Sequence, residues 1–463
     1  MSAPPTDRRV IHDVACTACG CVCDDLSLTV ERDRIVEMIG ACELARPWLS
    51  LQNAVERPVA ERRGQPVAWD DAIREAASVL RAARYPVIYG LSRSSTDGQR
   101  AAVALADALG ANIDTTASEG HATSLLALQA AGESTCSLGE VRNRADLVLF
   151  WGADPVTTHP RHLERYSLWP KGQFVPEGRA GRTLVVVDSE RTSTAEMADV
   201  FLQIPRGRDF EALWTLRMLL RGGLSSPPLS KGRTGGGNEV AASFPVCTPP
   251  VLPLERGGEK TLTTTLPLDA LCDLAERLQR CRYGVAFFGY GLARQALGHR
   301  VVEALLRLTT DLNAFTRFSV RRLRMAGNVS GADNVLCWQT GFPFSVNFSR
   351  GYPRYDPGEY SAAEILARGE ADAALFVGCA RVDSFPNAAR EHLARIPTIL
   401  LDHAAAQPCW SPTLRFTTAV YGVHRAGTAY RMDDVPIPLR SVLTTEYPTD
   451  GDVLRAIQKE TQG

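Results

Sequence analysis

The sequence predicts an α/β protein with a small N-terminal cysteine-rich domain and two doubly wound parallel-sheet domains that face each other across a cleft. Two observations lead to this fold class. Two stretches of the chain repeat the same order of apolar runs and helical patterns, and five cysteines crowd the first 42 residues. A chain of 463 residues, 45% of them hydrophobic, is long enough to fill several cores.

The first stretch contains apolar runs at residues 86–90, 145–152 and 183–188, with a helical pattern at residues 98–109. Continuous apolar runs that are rich in β-branched residues are typical of central strands, buried on both faces of a parallel sheet. Because such strands alternate here with helices, the pattern predicts right-handed βαβ units.

The second stretch repeats this order, with apolar runs at residues 283–289, 371–378 and 398–402 and a helical pattern at residues 296–309. It carries an insertion at residues 325–361, which is crowded with Gly, Asn, Pro, Arg and aromatic residues. Ligands of doubly wound sheets bind at the carboxyl ends of the strands, so we expect function at these turns and at the insertion.

The repeat predicts five segments along the chain. Residues 222–265 are a low-complexity stretch rich in Gly, Pro and Ser, which indicates a disordered surface insertion. The predicted segments are the cysteine-rich domain at 1–65, the first α/β domain at 66–221, the insertion at 222–265, the second α/β domain at 266–410, and a C-terminal segment at 411–463 that packs back on the core.

Charge and hydropathy exclude several classes of partner. The 51 basic residues are balanced by 52 acidic ones and form no polybasic run, which argues against nucleic acid and anionic membrane surfaces. No stretch approaches the roughly 20 apolar residues of a membrane helix. Arg8 and Arg9 are not followed by the apolar region of a secretory signal, so we expect a cytoplasmic protein.

The N-terminal cysteines are the most specific chemical feature of the sequence. Cys16, Cys19 and Cys23 lie within eight residues, and Cys42 follows. Three thiolates in such a loop and a fourth from a later turn suit one [4Fe–4S] cluster. Two alternatives stay open, because four thiolates also suit tetrahedral zinc, and cysteines also pack as small buried residues.

Several sequence stretches resemble one family. Residues 19–26 read Cys-Gly-Cys-Val-Cys-Asp-Asp-Leu, and residues 331–334 read Gly-Ala-Asp-Asn. Residues 341–359 run from Gly-Phe-Pro-Phe-Ser to Tyr-Asp-Pro-Gly-Glu, and residues 427–434 read Gly-Thr-Ala-Tyr-Arg-Met-Asp-Asp. These stretches are similar to the B subunit of formylmethanofuran dehydrogenases, which are relatives of the molybdopterin oxidoreductases.

The resemblance implies a fold like that of formate dehydrogenase and DMSO reductase, with their domains I–III. In that family, pterin guanine dinucleotides lie in the cleft, and an iron–sulfur cluster lies in the cysteine-rich domain. Tungsten or molybdenum is held by pterin dithiolenes and one protein Cys or selenocysteine. A His directly after that Cys and an Arg elsewhere serve the reduction of CO2.

The metal-ligand motif of the family departs from its pattern here. The expected Ala-Ser-x-Cys-His appears as residues 117–121, Ala-Ser-Glu-Gly-His, so Gly120 replaces the thiolate and His121 remains. A metal centre whose electronic properties are set by a thiolate ligand has different properties when that ligand is absent. Glu119, one residue away, would reach the metal only through a shift of register. We therefore expect tungsto- or molybdopterin to be absent.

This departure resembles the B subunit of the bacterial formyltransferase/hydrolase complex, which implies a structural, redox-inactive role in methanofuran- and tetrahydromethanopterin-linked one-carbon oxidation. The implied partners are amidohydrolase-like A and C subunits and a formyltransferase-like D subunit. Two other functions stay open. One is an active tungsten or molybdenum formylmethanofuran dehydrogenase subunit, and the other is an iron–sulfur electron-transfer adaptor.

Other side chains follow as candidate site residues. His121, Arg350 and Arg354 are the family-equivalent catalytic positions, possible remnants of a lost activity. Each has a structural alternative, since His121 suits a backbone hydrogen bond and the arginines suit pairs with nearby acids. The predicted cofactor-binding residues, which structural packing or helix capping would equally explain, are Asp154, Arg161, Asp188, Gly289 and Asp402.

Overall fold

The computed structural model describes residues 8–53, 56–222, 266–325 and 327–463. Its strands, in chain order, are β1 (Arg8–Val14), β2 (Leu26–Glu31), β3 (Arg34–Ile39), β4 (Ala60–Arg62), β5 (Gln65–Pro66), β6 (Pro86–Gly90), β7 (Asn112–Thr115), β8 (Leu147–Trp151), β9 (Thr183–Asp188), β10 (Val200–Gln203), β11 (Tyr283–Phe288), β12 (Arg317–Arg322), β13 (Val346–Asn347), β14 (Arg354–Tyr355), β15 (Ala373–Val377), β16 (Thr398–Asp402), β17 (Leu414–Thr417), β18 (Gly427–Tyr430) and β19 (Pro436–Leu439).

The helices, in the same order, are α1 (Ala45–Ser50), α2 (Trp69–Ala82), α3 (Thr96–Leu109), α4 (Ala117–Gly120), α5 (Ala122–Ala131), α6 (Leu138–Arg144), α7 (Pro155–Thr158), α8 (Ser193–Glu196), α9 (Asp209–Leu220), α10 (Leu268–Arg280), α11 (Tyr290–Ala293), α12 (Gly298–Leu312), α13 (Val329–Thr340), α14 (Ala362–Ala367), α15 (Asn387–Leu393) and α16 (Asp450–Gln462).

Local sequence explains where α3 begins and ends. The side chain of Ser95 caps the helix by accepting a hydrogen bond from the N–H of Gly98. Gly110 ends it in the left-handed conformation, with φ of +63°, and its N–H donates to the carbonyl of Ala106. The helix predicted at residues 98–109 is therefore confirmed, with two more residues at its start.

The chain divides into two compact units. Of the described residues, those within 1–122, 158–161 and 323–463 form the first unit, and those within 123–157 and 162–322 form the second. The first unit contains a nine-stranded sheet in the order β14-β13-β7-β6-β15-β16-β17-β4-β5. Its five central strands, from β7 to β17, are parallel, and antiparallel strands complete both edges.

The central strands of this sheet are buried on both faces, as their continuous apolar runs predict. On one face, Ile88 and Leu375 pack in a cluster with residues of α2, α3 and α16. On the other face, Val87, Phe376 and Leu400 pack in a second cluster with residues of α14 and α15. The predicted parallel setting of Leu400 is confirmed.

The second unit contains a five-stranded parallel sheet in the order β10-β9-β8-β11-β12. Val185 lies on β9, which is parallel to both of its neighbours, as the sequence predicts. The core of this unit joins Leu149, Val187 and Phe288 from the sheet with Leu216 and Leu305 from the helices that cover it.

The strand pairings correct the sequential division of the chain into domains at 66–221 and 266–410. β6 pairs with β15, and β8 pairs with β11, so each sheet takes strands from both predicted domains. β4 and β17 belong to the nine-stranded sheet, although they fall in the predicted segments 1–65 and 411–463. Hydrophobic periodicity identifies a buried strand but does not say which strand lies beside it. The predicted insertion lies outside the described residues, apart from Gly222.

The cysteine-rich segment begins with a three-stranded antiparallel sheet, β1-β2-β3, and the C-terminal segment adds the β18-β19 hairpin and α16 to the first unit. Val453, Leu454 and Ile457 on α16 are fully buried against the core. Among the described residues, no helix is both long enough and apolar enough to span a membrane.

Candidate functional site

The loop between β1 and β2 carries most of the predicted ligand cysteines. It closes on itself, because the N–H of Cys16 donates to the carbonyl of Cys23 (2.8 Å) and the N–H of Val22 donates to the carbonyl of Cys19 (3.2 Å). The three predicted ligand cysteines of the loop are buried, and Cys21 is buried completely. The loop therefore presents its sulfurs towards the protein interior.

Cys42 reaches this group from the turn before α1. Its sulfur accepts hydrogen bonds from the backbone N–H groups of Leu44 and Ala45. Burial, followed by the neighbouring thiols of Cys19 and Cys23, raises the pKa of Cys42. Burial likewise raises the pKa of Cys16, to which Cys19, Cys23 and Cys42 add. The four predicted ligands thus lie within electrostatic reach of one another.

Cys21, which is not one of the four predicted ligands, also joins this group. Its thiol hydrogen-bonds the side chains of Cys19 and Cys23, and these bonds raise its pKa well above the usual value. In the part of the chain that the structure describes, no group of three or more His, Cys, Asp or Glu side chains is arranged to hold a metal ion.

The turn that contains Gly120 follows β7 at the carboxyl edge of the nine-stranded sheet. Residues 117–120 form the single helical turn α4, and the N–H of His121 closes it by donating to the carbonyl of Ala117 (2.6 Å). Gly120 and His121 are both buried, whereas Glu119 is partly exposed. Residue 120, where the resemblance implies a cysteine, therefore lies inside the protein, in a defined turn.

Two polar side chains fix this turn from the strand. The hydroxyl of Ser118 donates to Asp114 Oδ2 (2.7 Å), and Asp114 also accepts from the N–H groups of Ser345 (3.0 Å) and Ala362 (2.7 Å). Burial raises the pKa of Asp114 to about 6, although these donors oppose the shift. A buried carboxyl with this many donors serves to fix the backbone around it.

A second buried network, which sequence reasoning missed, lies beside the same strand. The hydroxyl of Thr115 donates to Asp333 (3.1 Å), and Asp333 forms an ion pair with Arg324. The carbonyl of Arg324 lies 2.9 Å from His159 Nε2. Burial lowers the pKa of His159 to about 4, so this imidazole is neutral at pH 7. The available signal was the polar run Arg-Arg-Leu-Arg at the end of β12.

The predicted arginines lie elsewhere. Arg161 forms two hydrogen bonds with Asp25 (2.6 and 2.8 Å), the last residue of the cysteine loop before β2. Arg354 donates to Asn347 Oδ1 (2.6 Å), next to the amino end of β7, whereas Gly120 follows the carboxyl end of that strand. Arg350 is exposed. The structure thus does not bring Arg354 to the Gly120 turn.

In the second unit, the predicted residues lie at the carboxyl ends of the parallel strands. Asp154 accepts hydrogen bonds from the N–H and hydroxyl of Thr194 and fixes α8. Asp188 ends β9 and accepts from the N–H of Ser189 (2.7 Å), while burial raises the pKa of Asp188. A Cβ on Gly289 would lie 3.2 Å from the carbonyl oxygen of Gly152, so two strand-end turns approach closely here.

The first unit has a cavity of about 400 Å³ at the carboxyl ends of β15 and β16, called here the strand-end pocket. Asp402 lines it, and burial raises the pKa of Asp402 to about 6. The Arg93 guanidinium lies 4.3 Å from the centre of the Trp48 ring. Within the described residues, His403 Nδ1 and Trp48 Nε1 are buried and have no hydrogen-bond partner. Acid, cation and aromatic ring thus meet where doubly wound sheets bind nucleotides.

No protein-family model matches the chain. The chain is 36% identical over 463 residues to the B subunit of the tungsten-containing formylmethanofuran dehydrogenase 2 of Methanocaldococcus jannaschii, covering 98% of this chain and 99% of that protein. It is 28% identical over 315 residues to the B subunit of the formyltransferase/hydrolase complex Fhc of Methylorubrum extorquens, covering 68% of this chain and 73% of that protein.

A solved structure has a similar fold. The crystal structure of the formyltransferase/hydrolase complex FhcABCD from Methylorubrum extorquens, in complex with methylofuran, contains a chain that matches with a TM-score of 0.66 and 24% sequence identity. The match covers 87% of this chain and 98% of that one. This agreement confirms the predicted α/β fold class.

Proposed function

The chain belongs to the family of formylmethanofuran dehydrogenase B subunits, and from that premise we propose that it is a structural B subunit of a formyltransferase/hydrolase-type complex that performs no redox chemistry. Its place would be methanofuran- and tetrahydromethanopterin-linked one-carbon oxidation. Its partners would be the amidohydrolase-like A and C subunits and the formyltransferase-like D subunit. The similarity to the Fhc B subunit and to the FhcABCD structure supports this assembly.

The observation that carries the proposal is Gly120 in the helical turn after β7. Glycine offers only backbone groups, which are poor ligands for a tungsten or molybdenum centre tuned by thiolate. Successive side chains of an α-helix point about 100° apart, since a turn holds 3.6 residues. Glu119 would therefore reach the position of residue 120 only if α4 unwound, and Ser118 holds that turn by its bond to Asp114. The donor set does not fit a thiolate-ligated metal.

The cysteine loop and Cys42, in contrast, carry the number of thiols that an iron–sulfur cluster needs. Cys16, Cys19, Cys23 and Cys42 supply four thiols, and the last three each raise the pKa of Cys16. A cubane spreads four thiolates over separate iron atoms and supplies one-electron transfer when bound. An iron–sulfur electron-transfer adaptor is therefore the alternative function that this loop favours.

A further alternative, the active tungsten or molybdenum subunit, is favoured by the strand-end pocket. Asp402 can accept hydrogen bonds from a guanine base or a ribose, and Arg93 can contact a phosphate. These residues would hold the nucleotide end of a pterin cofactor. The similarity to a tungsten-containing relative over nearly the whole chain points the same way.

Metal analysis of the purified native complex separates these functions. We expect less than about one tungsten or molybdenum atom per ten copies of this chain, with both metals supplied during growth. A full complement of either metal would contradict the proposal and support the active dehydrogenase subunit. Four iron atoms per chain without tungsten or molybdenum, together with reversible reduction of the iron, would instead indicate the electron-transfer adaptor.

A further inference from the structure

A second, larger cavity lies in the first unit, beside the β4-β5 hairpin and the segment that joins β16 to β17. Its volume is about 850 Å³. Four of the residues that line it are arginines, against one carboxylate, and an indole forms part of its wall. These lining residues are Arg57, Glu61, Arg63, Arg395, Trp410 and Arg415. We call it the arginine cavity.

Arg415 forms the floor of the arginine cavity. It lies on β17 and is only 5% exposed. Its Nη2 donates to the carbonyls of His403 (3.0 Å) and Ala406 (2.9 Å), which fixes the guanidinium. Its Nε is buried and has no hydrogen-bond partner among the described residues. A buried N–H of a charged group without an acceptor can donate to an acceptor that a ligand supplies.

The carboxylates do not balance the positive charge of this floor. Glu61 lies opposite Arg415 on the neighbouring strand, but its Oε2 is 3.9 Å from Arg415 Nε, beyond hydrogen-bond reach. The same carboxylate pairs with Arg57 (3.1 Å). Asp402 also favours the charged form of Arg415, but it lies in the strand-end pocket near Arg93.

The rim adds further positive charge and a rigid apolar wall. Arg63 is exposed, and Arg395 has one exposed partner, Glu391, at 3.7 Å. The ring of Trp410 packs 4.7 Å from the ring of Phe376, and its Nε1 donates to Thr398 (3.2 Å), so the indole is held in place. A flat group could pack on it.

We propose that the arginine cavity binds a small-molecule phosphate monoester, with the phosphate on Arg57 and Arg415 and the organic group against Trp410. Guanidinium groups bind phosphate through parallel N–H bonds, and a phosphate dianion supplies acceptors for several donors at once. Burial and the nearby Arg57 lower the pKa of Arg415, and a bound anion would oppose both effects. This site is separate from the Gly120 turn and from the cysteine loop.

The test measures binding of two phosphate probes to the purified complex. Inorganic phosphate supplies the anion alone, and phenyl phosphate adds a flat ring. Titration calorimetry at constant ionic strength should show saturable binding of both, with phenyl phosphate about tenfold tighter because its ring packs on Trp410. Benzoate serves as the monoanionic comparison and should bind about tenfold more weakly than phenyl phosphate.

Variants assign the binding to this cavity. Arg63→Ala changes an exposed rim residue and should weaken phenyl phosphate binding about threefold, whereas Arg57→Lys should weaken it about tenfold because a forked donor is lost. Trp410→Leu should bring phenyl phosphate down to the affinity of inorganic phosphate. Arg84→Ala, at a side chain that is 95% exposed and does not line the cavity, is the matched control.

Two outcomes would overturn the proposal. One is the absence of saturable binding of either phosphate probe by the wild-type complex. The other is an equal affinity for phenyl phosphate in Arg57→Lys, Arg63→Ala and the control Arg84→Ala, because the phosphate would then bind elsewhere. Arg57→Lys keeps the charge and Arg63→Ala is at the surface, and an unfolding curve for each verifies that it still folds.

Discussion

The cysteine loop and the Gly120 turn differ in what each retains. The loop and the turn before α1 together supply all four thiols of the predicted iron–sulfur site, and neighbouring thiols raise the pKa of Cys16 and of Cys42. The Gly120 turn has a glycine where the resemblance to the family implies a cysteine, and it lies beside a buried histidine and two buried polar networks. The cysteine group therefore offers donor sulfurs, whereas the Gly120 turn offers only the hydrogen-bond networks that hold its backbone.

The residues of a metal site either donate electrons to the metal or hold the backbone in place. Around Gly120 the backbone is still held, because Asp114 and Asp333 take their hydrogen bonds from the protein itself. Such a turn needs no metal to keep its shape. The supports of the turn should then matter for stability even in a chain without redox activity, and the following predictions test that idea.

The largest effect is expected at Arg324, the buried partner of Asp333. Both side chains are at most 5% exposed, so Arg324→Met leaves a buried carboxylate without its ion pair. Removal of one partner from such a pair costs about 3–5 kcal/mol of the free energy of unfolding. Chemical unfolding of the purified complex measures this, with Arg84→Met at the exposed pair with Asp372 as control. Equal unfolding midpoints for the two variants would contradict the prediction.

The pH dependence of stability should reveal His159, which supports Arg324. Burial lowers its pKa to about 4 from the ordinary 6.5, so the unfolded chain binds this proton more readily than the folded one. Stability is therefore lost as the pH falls from about 6.5 towards 4, by about 3 kcal/mol for this group. His159→Gln should reduce that loss, whereas His12→Gln, on an exposed strand, should not. Parallel pH profiles for His159→Gln and wild type would count against the idea.

Asp114 should act in the opposite direction. Burial raises its pKa to about 6, so its contribution to stability falls as the pH rises from about 4 to 6. The contribution of His159 to the pH dependence of stability is therefore the difference between the profiles of His159→Gln and wild type. Asp114 and the other buried acids are present in both proteins and cancel in that difference.

In the cysteine loop, a smaller and more selective effect is expected. When iron and sulfide are supplied anaerobically to the complex, Cys19→Ser should bind iron about tenfold more weakly, which corresponds to about 1.4 kcal/mol. Cys21→Ala should leave iron binding unchanged, since Cys21 is a neighbour of the predicted ligands and not one of them. Equal losses in both variants, measured as iron per chain, would show that the ligands are assigned wrongly.

The fold class could be predicted because a buried strand is recognisable from its own continuous apolar run. Val185 and Leu400 lie in continuous apolar runs, and both are in parallel strands. The pairing of β6 with β15 could not be predicted, because the sequence of residues 86–90 does not indicate which strand, nearly three hundred residues away, lies beside it. The assignment of Cys16, Cys19, Cys23 and Cys42 to one cluster rests on their spacing and stays a prediction, because no group of three or more such side chains in the described residues is arranged to hold a metal ion.

The candidate site was harder to predict for the same reason. Arg354 was chosen because its segment resembles the family, but its contacts with Asn347 hold it near the amino end of β7. Arg324 and Asp333 were missed because the polar run at the end of β12 does not show which acid, nine positions further on, its last arginine meets in the core beside β7. A family resemblance matches residues by their position in the sequence. Whether they form one site depends on which strand ends lie close together in the fold.

The smallest expected effect tests the Gly120 turn itself. We expect the anaerobically purified complex, from cells grown with tungstate and molybdate, to show no formate- or CO2-dependent activity in a viologen-linked assay. If the chain binds no pterin cofactor, as we propose, Gly120→Cys should stay silent as well, because a thiolate alone supplies no metal centre. Side chains such as His121 orient a metal centre but do not replace a missing ligand. Activity in the wild type that disappears in Glu119→Ala would show that the neighbouring carboxylate has taken over ligation. The control is Glu196→Ala, a change at a carboxylate that lies in the second unit, which should leave any activity unchanged.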